Sequence, residues 1–248
     1  MTLVTDEAAI DKLRSSGQVI KKIFKWVEAN IEENISTGQL DKFIEELIIK
    51  DGAIPAFKGY KGYPATICIS MNNEVIHGIP NKKRIIKKGD IVSIDVGVLK
   101  NGYFTDAART YTIGSVESNV SRLIKVTKKS LEEGIKKAVT GSKISDISKA
   151  IEKIIRKEKF EEIRDYVGHG VGRELHEEPE VPNWYNKNMD DEILQQGLVL
   201  AIEPMVVMGK REVKILDDRW TVVTKDGSLA CHFEDTIIVG KGKAEIVT

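Results

Sequence analysis

The side chains of this sequence best suited to chemistry fall in two strand-like apolar stretches. The first, GDIVSIDVGVLKNGYFTDAARTYTIG, carries Asp95 and Asp106. The second, QGLVLAIEPMVVMG followed by DRWTVVTKDGSLACHFEDTIIVG, carries Glu203 and Glu234. In each, one acid sits near the end of an apolar run and a second lies on a later strand, as if one acid-bearing hairpin had been used twice. A single such Asp is compatible with a solvated strand face or with a buried hydrogen bond to nearby backbone. Four together are different, because an ionised carboxylate is costly to bury unpaired and four that converge repel one another. Two divalent cations neutralise such a cluster, and carboxylates bridge metals ~3.5–4 Å apart. Oxygen-rich ligation with one imidazole suits Mn, Fe(II), Co or Zn.

Histidine usage points the same way. The chain has only four, His77, His169, His176 and His232, and no helical pattern contains them. His169 stands between two glycines in VGHGVG, His77 lies in VIHGIP, and His176 precedes Glu177-Glu178-Pro179. Gly-flanked turns of this kind can bring an imidazole to a metal. His232 precedes Glu234 at alternate spacing and is expected behind the site rather than among the ligands.

These groups need a scaffold, and the pattern supplies one. Residues 6–30 read as an amphipathic helix on Ala9, Ile10, Leu13, Ile20, Ile23, Phe24 and Val27. Ser36-Thr37 opens a second, with Leu40, Phe43, Ile44, Leu47 and Ile48 on one face. A Gly-, Pro- and aromatic-rich segment follows, containing the short strand ATICIS. Residues 89–113 form a hairpin turned at Asn101-Gly102. Helices over 118–139 and 144–158, parted by Gly141-Ser142, lead into a strand-rich last third with a turn at Asp226-Gly227. The order predicts an α+β fold of two halves related by an approximate internal two-fold. No Pro- or Ser-rich linker divides them, so residues 1–248 are expected to form a single domain with one shared site.

Composition narrows the function classes. The 248 residues hold 38 Lys+Arg and 38 Asp+Glu, a net charge of zero, which argues against phosphate-driven nucleic-acid binding. No apolar stretch approaches the ~20 residues of a membrane span, and the acidic N-terminus lacks the features of a signal peptide. Cys68 and Cys231 make no disulfide framework. A cytoplasmic protein is expected.

In order and spacing, VIHGIP, SIDVG, TDAA, VGHGVGRELHEEP, AIEPM and HFEDT resemble the motifs of type I methionine aminopeptidases, over nearly the whole chain. The resemblance implies the "pita-bread" fold of metallopeptidase family M24 and removal of an N-terminal methionine by a metal-activated water. It implies two divalent ions held by Asp95, Asp106, His169, Glu203 and Glu234, with Asp106 and Glu234 bridging. By the same likeness Glu203 is also the general base, His176 stabilises the oxyanion and His77 meets the scissile amide nitrogen. Tyr60, Tyr63, Cys68, Leu175 and Trp220 match positions that line the methionine pocket. The substrates implied are peptide and nascent-protein N-termini with a small second residue, met transiently at the ribosome by a monomeric enzyme.

Two positions depart from that pattern. Leu175 stands where an aromatic is common, and Asp235 where a histidine commonly follows the bridging Glu; an added carboxylate there is expected to make the metal site more negative. The short intervals from His176 to Glu203 and from Glu203 to Glu234 leave no room for the helical subdomain of type II enzymes. A Cys-rich N-terminal extension is also missing, as in the short bacterial form. Prolidases and aminopeptidase P share the five ligands but carry a large N-terminal domain. Non-catalytic members of the fold lose ligands, and metal storage leaves the extra histidines unexplained.

Overall fold

The computed structural model describes residues 1–189 and 191–248. Two helices come first, α1 (Glu7–Asn30) and α2 (Thr37–Lys50). Strands β1 (Ile54–Pro55), β2 (Cys68–Met71) and β3 (Glu74–Ile76) precede the long pair β4 (Ile91–Lys100) and β5 (Tyr103–Thr112). Helices α3 (Ser118–Ile135) and α4 (Ile144–Lys157) follow, then β6 (Glu161–Glu162), β7 (Gly168–Gly170) and β8 (Glu177–Val181). The last part is all strand: β9 (Val199–Ile202), β10 (Met205–Val207), β11 (Val213–Ile215), β12 (Val222–Thr224), β13 (Ala230–His232), β14 (Glu234–Ile238) and β15 (Glu245–Ile246).

Local chemistry explains the starts and turns. The Asp6 carboxylate accepts from Ala9 N–H to cap α1, and Ser36 and Gln39 form a capping box on α2. Asn101 and Gly102 both take positive φ, the signature of the tight turn that joins β4 to β5 with ten paired residues. Two details differ from the periodic reading. Phe43 of α2 is exposed and rests against Trp26 instead of entering the core. Helix α3 stops at Ile135, short of residue 139, after Gly134 has let it approach α4. A Cβ on Gly134 would lie 2.8 Å from Ile151 Cγ1.

The main sheet runs β1-β4-β5-β14-β9-β7-β8, with β2 on β4 and β15 on β14. Helices α1 and α2 cover Val92, Ile94, Val96, Val98 and Ala107, while α3 and α4 cover Leu200, Ile202, Ile237 and Val239. Each helix pair thus has its own core on one half of the sheet, and the halves join where β5 pairs with β14. The expected duplication holds with one correction. β4 and β5 are a true hairpin, but β9 and β14 are paired neighbours separated in sequence by β10 to β13, which form smaller sheets beyond the site. Both acids of the second half still lie in or beside adjacent strands.

The Gly-His-Gly segment also corrects the turn expectation. It is strand β7, and its glycines serve close approach rather than sharp bending: a Cβ on Gly170 would lie 2.2 Å from Glu178 O, and one on Gly168 2.5 Å from Ala201 O. Those neighbours are backbone atoms and cannot swing aside. Gly170→Ala is therefore expected to cost about 1–3 kcal/mol, the usual range for overpacking. Urea unfolding measures it, and an unchanged midpoint would mean that β7 and β8 are not clamped this way.

Candidate metal centre

Strand register gathers the acids. Cys68 pairs with Asp95, Asp95 with Ala108, and Ala108 with Glu234, so these residues form one row on one face of the sheet. Asp106 lies opposite Gly97, two residues before Ala108 and therefore on the same face. Across the junction, Ala201 of β9 is opposite both Thr236 and His169. Glu203 follows two residues later, just beyond β9. One side chain holds the seam open for Asp106: the Thr236 hydroxyl donates to Asp106 O (2.8 Å) and accepts from Asp106 N (2.9 Å).

The four carboxylates are enclosed, and burial is the first cause of a raised affinity for protons in each. Mutual repulsion adds to it for Asp95, Glu203 and Glu234, and Asp106 is pushed up to about 7. His169 is pushed down to about 4 by burial. Its Nδ1 faces Gly170 O at 2.9 Å, which places the proton on Nδ1 and leaves Nε2 a bare lone pair, 3.6 Å from Glu203 Oε1. Buried Asp95 Oδ1, Asp106 Oδ1 and Glu234 Oε1 have no hydrogen-bond partner. Orphaned carboxylate oxygens beside a deprotonated imidazole nitrogen fit a divalent cation and little else. Ligand atoms of Asp106, His169 and Glu234 approach within 4.8 Å of one another, as do those of Glu203, His232 and Glu234.

The five expected ligands open into a cavity of about 240 Å³ that also reaches His77 and His176. Tyr60, Tyr63, Cys68, Leu175 and Trp220 line it, as expected, so apolar core and pocket wall are here the same residues. Leu175 is fully packed and keeps that wall aliphatic. The Tyr60 hydroxyl lies 3.0 Å from His176 Nδ1 with the two rings stacked. His77 sits at φ 59, an unusual backbone state for a non-glycine residue, with its ring edge-on between Tyr166 and Trp220. Gly78 must follow it, because a Cβ there would lie 2.2 Å from Ile69 O.

Several residues escaped the sequence reading. Phe57 and Lys61 also line the cavity. Gly97 makes room for Phe57, since a Cβ on that glycine would meet the Phe57 ring at 2.4 Å. Tyr166 stands beside His77 with no motif to mark it. Asp235 is placed otherwise than expected. It faces away from Glu234, opposite Ala107, and pairs with Arg109, whose guanidinium also donates to Glu234 O and lies over the Phe24 ring. Its charge is paired with Arg109, yet it still adds to the repulsion that raises the proton affinity of Glu234, after burial and the other three acids, as the departure led one to expect.

The raised carboxylates carry a signed consequence. In the metal-free chain they keep protons that the unfolded chain has shed, so their contribution to stability is present at low pH and is lost as pH rises above the ordinary carboxylate range, for Asp106 by about 7. The depressed imidazoles, such as His169, act oppositely and lose stability as pH falls below about 6.5 toward 4. The increment from added Mn(II) isolates the cluster, because ligation needs carboxylates and imidazole without their protons. The shift in melting temperature on adding Mn(II) is expected to grow from pH 5.5 to pH 8. A pH-independent shift would mean the metal binds elsewhere.

Relatives accord with this geometry. Residues 11–241 match the sequence model of metallopeptidase family M24. A methionine aminopeptidase of Clostridium acetobutylicum is 44% identical over 248 residues, covering 100% of this chain and 99% of that protein. The crystal structure of a methionine aminopeptidase from Thermotoga maritima superposes with a TM-score of 0.96 at 40% identity, covering 100% and 99% of the two chains. A prolidase from Pyrococcus furiosus shares the pita-bread fold at a TM-score of 0.79 and 22% identity, with this chain spanning 65% of it. About a third of that longer protein lies outside the match. By the match over residues 11–241, the chain belongs to metallopeptidase family M24.

Proposed function

We propose that this chain is a methionyl aminopeptidase that hydrolyses the first peptide bond of peptides and nascent proteins beginning with methionine and a small second residue. Residues 1–248 act as one catalytic domain. The observation that carries the reading is the joining of a buried four-carboxylate cluster to an apolar cavity of about 240 Å³. That volume lies below the ~300–1,000 Å³ of clefts for drug-sized ligands and suits one side chain.

Asp95, Asp106, His169, Glu203 and Glu234 would hold two divalent ions, drawn from Co, Mn, Fe(II) or Zn, with Asp106 and Glu234 shared between them. Such ions supply a hydroxide-like nucleophile at neutral pH and Lewis-acid polarisation of the scissile carbonyl. The rest is the work of the chain. Tyr60, Tyr63, Cys68, Leu175 and Trp220, with Phe57, take the methionine side chain and exclude water. Glu203 accepts the proton of the attacking water. The Tyr60 hydroxyl lies 3.0 Å from His176 Nδ1; a hydroxyl donating there would keep the imidazole proton on Nε2, the atom that would donate to the developing oxyanion. His77, fixed between Tyr166 and Trp220, contacts the scissile amide nitrogen. The substrate's free α-amino group would bind one of the ions, so that only a terminal residue is removed. We place the enzyme in the cytoplasm as a monomer that meets its substrates at the ribosome. Its lack of a helix long and apolar enough to cross a membrane, among the described residues, supports that placement.

A panel of Met-Ala-, Met-Pro-, Leu-Ala- and Ala-Pro- peptides, assayed with each metal, tests the substrate assignment. Preferential release of Met before a small residue is expected. Cleavage before Pro whatever the first residue would favour a prolidase-like activity instead. Second, His176→Ala is expected to retain both ions yet lose kcat by ~10²-fold or more, the scale of an oxyanion contact. Metal analysis with steady-state kinetics checks this, and an unchanged kcat would remove His176 from that role.

A further inference from the structure

His232 is the one histidine left without a task. It lies in β13 directly opposite Met205, and its backbone is held on both sides of the peptide unit. Its N–H donates to Thr110 Oγ1 (3.2 Å), the Thr110 hydroxyl donates to His232 O (2.7 Å), and Ser93 Oγ backs Thr110 at 2.8 Å. The ring so placed is 2% exposed. Its Nε2 has no hydrogen-bond partner, with Glu203 Oε2 at 3.4 Å and Glu234 Oε2 at 4.0 Å.

Glu203 is therefore bracketed by two imidazoles, one on each oxygen: His169 Nε2 lies 3.6 Å from Oε1 and His232 Nε2 3.4 Å from Oε2. The two nitrogens differ in what they can do. His169 has committed its proton to Gly170 O and offers a lone pair. A buried imidazole nitrogen facing only carboxylate oxygens is satisfied by carrying a proton and donating it. We infer that His232 is a positioning residue for Glu203, donating Nε2–H to Oε2 and so keeping Oε1 turned toward His169 and the ion those two share. This rests on the reading of Glu203 as a metal ligand. It would leave Oε1 for the ion, while Oε2, accepting from His232 with one lone pair, keeps the other for the proton of the attacking water.

The metal-stripped, full-length chain and its His232→Gln, His232→Asn and His232→Leu variants, each checked for folding by its melting curve, would be titrated calorimetrically with Mn(II). A glutamine amide can still reach Oε2, an asparagine amide is too short, and leucine has no donor. Loss of about 10–100-fold in affinity for one of two Mn(II) ions is expected for Asn and Leu, the scale seen when the partner of a ligand is removed. Glutamine is expected to restore most of it. Wild-type affinity in the Asn variant would overturn the inference even if Leu fails to fold, and equal loss in Gln and Asn would make His232 a direct ligand instead. If the wild-type chain itself takes up no Mn(II), the metal reading of the site fails and the inference with it. Normal wild-type uptake with unaffected variants sinks the inference alone.

Discussion

Everything in this fold answers to the cost of keeping four carboxylates out of water within reach of one another. Apolar burial elsewhere is replaceable in kind, since one aliphatic side chain can often stand for another of like volume. The acid cluster has no such latitude: without cations it is neutralised only by taking up protons, and with them it is a charge-balanced core. The strands that carry it are correspondingly immobilised. Asp95 and Glu234 are set by continuous sheet register, and Asp106 by the Thr236 hydroxyl at the point where β5 parts from β14. Below them, the helix-covered face supplies two separate hydrophobic cores that hold the halves rigid.

The asymmetric parts do different work. Apart from His169 of β7, the imidazoles and aromatics reach the cavity from outside the acid-bearing strands: the segment between β1 and β2, the turn after β3, the approach to β8, and the excursion between β9 and β14. Positioning there is done by rings against rings, Tyr60 on His176 and Trp220 against both Tyr63 and His77. A symmetric scaffold thus binds charge, and its departures from symmetry shape what else fits.

Much of this was legible in the sequence, for definite reasons. An acid inside an apolar run violates the strand pattern, so Asp95, Asp106, Glu203 and Glu234 announced themselves, and Asn101-Gly102 marked the turn that sets their register. The motif resemblance supplied the pocket residues, which pattern alone could not separate from core. What stayed hidden depends on where a side chain points after folding. Asp235 is adjacent to Glu234 in sequence but lies on the opposite face and pairs with Arg109, so only part of its charge is felt at Glu234. Phe57 and Tyr166 come from loops without periodicity. The glycines around His169 were visible, but their purpose was read as bending, because the carbonyls of β8 and β9 that crowd them come from distant sequence.

Ala108 carries a consequence of its own. It stands in register between an acid of each half, with no polar atom on its side chain. Two strand spacings of ~4.8 Å therefore separate the backbones of Asp95 and Glu234, and a single methyl group lies between. That geometry acts as a gauge. The two carboxylates can lean toward each other only as far as their own lengths allow, and the space above the methyl is left for ions and water. A larger side chain at Ala108 would take up that space while leaving every acid in its register.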